Sequence, residues 1–145
     1  MSIISDAAFV ATYVQWVQHR SFCYAEPSDK DRFHLESKRL LRILAKQLGL
    51  NAGDYELRSN KGGVAVSGEI ILHSSSLYVL IHGAWSYRGI QIMFRRCSGR
   101  NDMAGKVNHY APIHALLDMK TLVRRMDAVA GRLIVSAYLI SEETL

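Results

Sequence analysis

Cysteine and proline are both scarce in this sequence. The 145 residues include two cysteines and two prolines. Cys23 and Cys97 are far apart, and neither belongs to a CxxC pair or to a Cys/His pattern with the spacing of zinc ligands. So few cysteines argue against a disulfide scaffold and are typical of a reduced protein. We therefore expect a cytoplasmic protein without a metal site.

Long hydrophobic segments are absent from the sequence as well. The longest candidate covers residues 133–140, is interrupted by Ser136, and falls far short of the roughly 20 residues that a membrane-spanning helix needs. The first residues, MSIISDAAF, lack the basic region followed by an apolar stretch that marks a secretion signal. We expect no membrane association.

Motifs that indicate catalysis are also missing. The acidic residues are scattered, and the six histidines show neither HExxH nor another metal-binding spacing. The phosphate-binding patterns GxxxxGK[ST] and GxGxxG do not occur. One catalytic hypothesis stays open: an exposed Cys97, activated by the neighbouring arginines, would be a nucleophile for which His109 could act as the base. We nevertheless predict a protein that is not an enzyme and that needs no cofactor.

The composition that remains is that of an ordinary globular protein. Apolar residues make up 49% of the chain and charged residues 21%, which argues against a disordered segment. A chain of 145 residues can bury one substantial core and is short for two. We predict one domain over residues 1–145.

Positive charge is concentrated in one part of the chain. Residues 88–132 hold nine lysines and arginines against three acidic residues, a net of +6, whereas residues 1–87 hold nine against eight. A localised basic surface suits an anionic partner such as nucleic acid, a nucleotide or a phosphate; a solubilising face is the alternative. A second basic group lies on one side of the second predicted helix, and we interpret it as a solvated face: Lys38, Arg39, Arg42 and Lys46.

Hydrophobic periodicity predicts an α+β fold with two N-terminal helices, an antiparallel sheet of about four strands and a C-terminal helical segment. Ser5 and Ser28 are the predicted helix N-caps, and Gly49 is the predicted end of the second helix. The predicted helices cover residues 6–20 and 29–48. The first predicted strand starts near Tyr55, and the other three cover residues 64–73, 77–82 and 88–96.

The last third of the chain is predicted to return to helix. Residues 97–111 have no hydrophobic period, so we expect a polar loop there. Pro112 then suits the first turn of a helix over residues 113–130, with a break near Asp118. Residues 132–140 fit a strand or a helix equally well.

The segment 95–110, RRCSGRNDMAGKVNHY, is the main candidate for a binding site. Arginine binds phosphate oxygens through two parallel hydrogen bonds, and asparagine and aspartate can bind ribose hydroxyls or base edges. Tyr110, with Trp85 or Tyr87, could stack on a base. These residue types together indicate a nucleotide or cyclic-nucleotide pocket, although a surface loop held by its own polar contacts would have the same composition. The candidate ligand-binding residues are Arg96, Arg100, Asn101, Asp102, Asn108 and His109.

A second candidate is the glycine-containing segment RSNKGG, residues 58–63. Arg58 and Lys61 supply two cations, and the backbone amides of such a turn can bind an anion. A glycine-rich β-turn without a ligand explains the same residues.

Two segments, RSNKGGVAVSGEIILHSSSLYV and FRRCSGRNDMAGKVNH, resemble a family of small phage-encoded proteins, the first anti-Thoeris family. The resemblance covers about residues 55–110. It implies a counter-defence protein, located in the cytoplasm of the host cell, that sequesters cyclic ADP-ribose isomers or cyclic oligonucleotides without cleaving them. It also implies N-terminal helices, an antiparallel sheet and a homo-oligomer. Arg96 and Arg100 would be the phosphate contacts, with Asn101, Asp102 and Asn108 as polar companions.

Two other functions remain open at this point. The basic segment could follow a nucleic-acid backbone, which predicts steep salt dependence. Alternatively, Arg95, Arg96 and Arg100 could pair with an acidic surface of a bacterial defence protein and inhibit it. Glycine, asparagine and aspartate interrupt the basic residues, which favours a pocket for a nucleotide-like small molecule.

Overall fold

A computed structural model of the chain describes residues 5–22, 25–60, 68–83, 91–99 and 107–131. It shows three α-helices and a five-stranded antiparallel sheet, which confirms the predicted α+β class. The elements are α1 (Asp6–Val17), α2 (Pro27–Gln47), β1 (Tyr55–Asn60), β2 (Glu69–Ser74), β3 (Leu77–His82), β4 (Gln91–Arg96), β5 (His109–Pro112) and α3 (Met119–Val129). Short 3-10 helices cover Ala52–Asp54 and Ile113–Asp118. No helix in the described ranges is long and apolar enough to cross a membrane.

The five strands form a meander in which each strand pairs with the next along the chain, in the order β1-β2-β3-β4-β5. The pair β2–β3 is joined at Ser75 and Ser76, where the sequence predicts a turn. The fifth strand was not among the predicted ones: β5 occupies four residues, and they fall where we expected the end of a polar loop and the start of a helix. Four residues are too few to show a hydrophobic alternation. Pro112 is tolerated there because it is the last residue of an edge strand of the sheet.

The two N-terminal helices have the predicted positions with different ends. The Ser5 hydroxyl accepts a hydrogen bond from the Ala8 amide at 3.2 Å, so Ser5 is the N-cap of α1 as predicted. The helix ends at Val17 rather than residue 20, because Gln18 adopts an extended conformation. Helix α2 begins at Pro27, so Ser28 lies inside it and is not its cap. Gly49 follows α2 with φ 76°, which confirms its predicted role at the helix end.

The main hydrophobic core lies between the three helices and one face of the sheet. Side chains of a strand alternate between the two faces, and those directed at the helices are the buried apolar ones, such as Leu72 of β2, Val79 of β3 and Phe94 of β4. Helix α2 contributes Leu40 and Leu44, both almost fully buried. This face of the sheet is called the helix-covered face below, and the opposite one the outer face.

The C-terminal helical segment has the predicted break. A 3-10 helix covers Ile113–Asp118, and Asp118 then caps α3 by accepting hydrogen bonds from the amide and the hydroxyl of Thr121. The chain leaves α3 at Gly131, which has φ 80°. The glycine-containing turn expected within residues 58–63 is wrong at its start, because Arg58, Ser59 and Asn60 belong to strand β1 and pair with β2. Residues 61–63, residues 64–67 of the second predicted strand, and residues 132–140 lie outside the described ranges.

Gly131 provides a test of how α3 ends. A φ of 80° is strained for any residue with a Cβ, although a Cβ there would make only ordinary contact with Arg96, the nearest atom being Cζ at 3.6 Å. We expect Gly131→Ala to lower the free energy of unfolding by about 1–2 kcal/mol, the cost of a left-handed conformation in an L-residue. Urea denaturation measures this change.

The matched control is Gly53→Ala. Gly53 has no positive φ, and a Cβ built on it meets nothing within 4 Å. Its replacement should leave stability unchanged or raise it by a few tenths of a kcal/mol. Equal losses for both variants would contradict a conformational requirement at Gly131.

Candidate functional site

The predicted binding segment begins and ends at one corner of the sheet. Strands β4 and β5 are neighbours, with Phe94 opposite His109. Arg96 is two residues beyond Phe94 and therefore lies on the same, helix-covered face as His109. The connection between Arg96 and His109 thus starts and finishes at the same end of two adjacent strands, as expected of a hairpin.

A third basic side chain reaches this corner from α3. The guanidinium of Arg125 lies 5.1 Å from the centroid of the Phe94 ring, and its Nη2 donates a hydrogen bond to the Tyr110 carbonyl oxygen at 3.3 Å. The His109 ring stacks on the same Phe94 ring, with centroids 5.7 Å apart. We refer to Arg96, His109 and Arg125 as the basic corner. Phe94 is fully buried and provides the apolar support against which two of the three side chains rest.

Arg96 also has a structural role at this corner. Its guanidinium lies beside Gly131, at the C-terminal end of α3. The carbonyl groups at the end of a helix carry partial negative charge, so a cation there is stabilising by about 0.3–1 kcal/mol. Arg96 and Asn108 are exposed to solvent, and His109 is partly exposed. The corner can therefore attract an anion, and the guanidinium groups suit phosphate oxygens in particular.

The outer face of the sheet holds a different polar group, which we call the outer-face cluster: Arg58, His73, Tyr78 and Arg95. Arg58 donates from Nη2 to Nδ1 of His73 at 3.0 Å, and its Nη1 lies 3.3 Å from Oε2 of Glu56. The His73 ring meets the edge of Tyr78 at 5.1 Å, and the Arg95 guanidinium lies 4.0 Å from the centre of the Tyr78 ring. His73, Tyr78 and Arg95 form one cross-strand row over β2, β3 and β4, since Tyr78 pairs with both His73 and Arg95. Arg58 reaches His73 diagonally from β1, where the residue paired with His73 is Glu56.

His73 is the centre of this cluster and is fully buried. Its Nε2 lies 3.0 Å from the Gly99 carbonyl oxygen, so Nε2 carries the proton and Nδ1 accepts from Arg58. Burial lowers the pKa of His73, and the positive charges of Arg58 and Arg95 lower it further, against the opposing effects of the Gly99 hydrogen bond and Glu56. The neutral ring is therefore the stable form in the folded protein.

The structure brings together only some of the predicted site residues. Arg96, Asn108 and His109 lie at the same corner, whereas Arg58 lies on the outer face and contacts His73 instead. Tyr110 neighbours His109 in β5 and therefore projects to the outer face, where it is 54% exposed, so it does not share a face with Arg96. Arg100, Asn101, Asp102, Lys61, Trp85 and Tyr87 lie outside the described residues.

Cys97 does not have the exposure that a nucleophile would need. The residue is 3% exposed, packs with Ile71 and Tyr78, and donates from Sγ to the Ser74 carbonyl oxygen at 3.3 Å. Those neighbours place it towards the outer face, whereas His109 lies on the helix-covered face. Among the described residues there is also no group of three or more histidine, cysteine, aspartate or glutamate side chains that could hold a metal ion.

Three contributors to these sites were not predicted from the sequence: His73, Tyr78 and Arg125. Arg95 was predicted only as part of a protein-binding surface shared with Arg96. The alternation of side chains in β4 does predict that Arg95 and Arg96 lie on opposite faces of the sheet, because neighbours in a strand face opposite ways. The two arginines therefore cannot contribute to one site. The partnership of Arg58 with His73 depends on the β1–β2 register, and that of Arg125 with Phe94 on how α3 packs. Neither has a local signature in the sequence.

Comparison with models of protein families, with curated proteins and with solved structures finds no match for this chain. The resemblance to anti-Thoeris proteins therefore stays a prediction.

The buried His73 predicts a loss of stability in acid. Because its pKa is lowered on folding, the folded protein binds the proton less readily than the unfolded chain. The stabilisation is complete above about pH 6.5, the ordinary pKa of histidine, and is lost as the pH falls from there through the folded pKa. Protonation of Nδ1 would also abolish the hydrogen bond from Arg58. Urea denaturation between pH 7.5 and pH 5 measures the effect.

The variant for this test is His73→Gln, which keeps a neutral donor for Gly99. We expect it to be less stable than the wild type at pH 7.5 and to lose less stability on acidification. The control is His114→Gln, at an exposed histidine, which should keep the pH dependence of the wild type. Identical acid losses in the wild type and His73→Gln would show that His73 is not the group responsible.

Proposed function

We propose that this protein binds a phosphate-bearing, nucleotide-like ligand at the basic corner and sequesters it without chemical change. The observation that carries the proposal is the pairing of β4 with β5, which places Arg96 and His109 on one face beside Arg125. The exposed side chains at this corner offer hydrogen-bond donors for phosphate oxygens, and the exposed Asn108 amide can bind a ribose hydroxyl or a base edge.

The contrast with the outer-face cluster supports the choice of this corner. Arg58 is held between Glu56 and His73, and Arg95 lies on the Tyr78 ring, so both arginines are occupied by contacts within the sheet. Arg96 instead lies at the surface, at the point where the predicted segment with Arg100, Asn101 and Asp102 begins. We propose that those three residues complete the site.

The kind of ligand follows from the resemblance stated above and from the donor set. A cyclic ADP-ribose isomer or a cyclic oligonucleotide carries phosphates, riboses and bases, which the proposed residues can recognise. Sequestration requires tight binding. A nanomolar dissociation constant corresponds to a binding free energy of about −12 kcal/mol. An exposed corner encloses such a ligand only partly, so we propose that a homo-oligomer completes the enclosure and that the protein acts as a phage counter-defence protein in the host cytoplasm.

A thermal-shift screen tests the proposal directly. The purified protein is heated with mononucleotides, cyclic ADP-ribose isomers and cyclic di- and trinucleotides, and each ligand is recovered after denaturation and examined by mass spectrometry. A ligand present at 100 times its dissociation constant should stabilise the fold by about 2.7 kcal/mol. A shift with intact ligand supports sequestration; a shift with altered ligand indicates an enzyme. The absence of any shift, with binding to single- or double-stranded nucleic acid instead, would favour the basic nucleic-acid-binding alternative.

Variants then locate the site. Arg96→Gln should weaken binding of the ligand found in the screen by about tenfold or more, because a charged hydrogen bond to phosphate is worth roughly 1.5–3 kcal/mol. Arg100→Ala tests the sequence-predicted partner and should abolish binding. Arg42→Gln, an exposed arginine on α2, is the matched control and should bind as the wild type does. Equal binding by Arg96→Gln, Arg100→Ala and the control would remove the corner as the site.

A further inference from the structure

A groove on the surface between α1 and α2 is separate from the corner. Its volume is about 470 Å³, and its lining includes Phe9 of α1 and, from α2, Arg32, Leu35, Glu36, Arg39 and Arg42. The α2 residues recur at intervals of three and four, so they form one face of the helix. From Arg32 to Arg42 this face extends about 15 Å along the helix axis, or nearly three turns.

Two arginines at the groove lie over aromatic rings at distances typical of a cation–π contact. The guanidinium of Arg39 lies 4.1 Å from the centre of the Phe9 ring, and that of Arg32 lies 3.8 Å from the centre of the Trp16 ring. Stacking uses the face of a guanidinium, while its N–H groups point outward in the plane. Both side chains are therefore ordered before any partner arrives, which lowers the entropic cost of binding a carboxylate.

The groove is positive and also carries an exposed apolar side chain. Arg32, Arg39 and Arg42 outnumber Glu36, which forms an ion pair with Arg32. Leu35 lies among them and is 71% exposed. A large apolar side chain surrounded by cations is the complement of an amphipathic segment with an apolar residue between acidic ones. A solvated helix face, as expected from the sequence, accounts for the arginines; the position of Leu35 among three of them adds an apolar contact point to the charged surface.

We propose that the α1–α2 groove docks an acidic amphipathic helix of a partner protein, whose apolar side chains pack on Leu35 and whose carboxylates pair with Arg39 and Arg42. The groove is long enough for a helix that presents residues i, i+3 or i+4, and i+7, since these span about 10 Å along the helix axis. A second copy of this chain, bound through the same surface with two-fold symmetry, would place arginines opposite arginines. Charge complementarity therefore favours a different, acidic partner.

Calorimetric titration with helical peptides of defined sequence tests this proposal. The probe has leucine at positions i, i+3 and i+7 and glutamate on both flanks, and the matched probe has lysine in place of each glutamate. The wild-type protein should bind the glutamate peptide at least about tenfold more tightly than the lysine peptide. Arg42→Glu should lower the affinity for the glutamate peptide by about tenfold, and Leu35→Ala by about fivefold.

The control variant is Lys120→Glu, which makes the same change in net charge at an exposed position on α3. It should bind the glutamate peptide almost as the wild type does, and all variants should melt within a few degrees of the wild type. The proposal is overturned if the wild type does not discriminate between the two peptides, or if Arg42→Glu and Lys120→Glu lose affinity equally. The proposal is also overturned if the wild type is a dimer in analytical ultracentrifugation and Leu35→Ala is a monomer, because a second copy of the chain would then occupy the groove.

This docking site and the nucleotide site can fail independently. Arg42→Glu and Leu35→Ala change no residue of the basic corner, so they should leave nucleotide binding in the thermal-shift assay within twofold of the wild type. Arg96→Gln should in turn leave the peptide affinity unchanged.

Discussion

The packing of α2 and α3 against a single face of the sheet, with α1 packed on α2, is the constraint on which the other features of this structure depend. Once Leu72, Val79 and Phe94 are committed to that core, the alternation of each strand fixes the direction of every other side chain. A shift of one residue in register would expose the apolar set and bury the polar one. The adjacent arginines of β4 are separated for this reason: Arg95 faces outward, and Arg96 lies on the side of the helices.

This separation gives the same residue type two different environments. On the outer face, Arg95 contacts the Tyr78 ring and Arg58 contacts the buried His73. The neutral histidine ring accepts a hydrogen bond from Arg58, whereas a protonated ring could not. At the opposite corner, Arg96 is exposed beside the end of α3. On the outer face Arg58 satisfies the His73 ring nitrogen and Arg95 lies on the Tyr78 ring, while the corner leaves positive charge at the surface. The proposed anion site therefore lies at the corner.

The features that were predicted correctly from the sequence have local causes. Asp118 and Gly131 are a cap and a stop that act within a few residues, so the break and the end of the C-terminal helix could be predicted. The alternation in β3 and β4 is equally local. Strand β5 could not be predicted because its four residues are defined by pairing with β4. The sequence predicts Arg58 in an anion-binding turn. Its contact with His73 could not be predicted, because that contact depends on the pairing of β1 with β2.

The division of the basic segment between two faces also bears on the choice among functions. The net charge of +6 over residues 88–132 predicts a localised basic surface. Side-chain alternation instead directs part of that charge to the outer face and gathers Arg96, His109 and Arg125 at one corner. A protein that follows a nucleic-acid backbone needs cations repeated along a surface, because its affinity grows with the number of phosphates neutralised. Among the described residues, Arg96 and Arg125 are two cations at one corner, which fits the few phosphates of the small ligand proposed above.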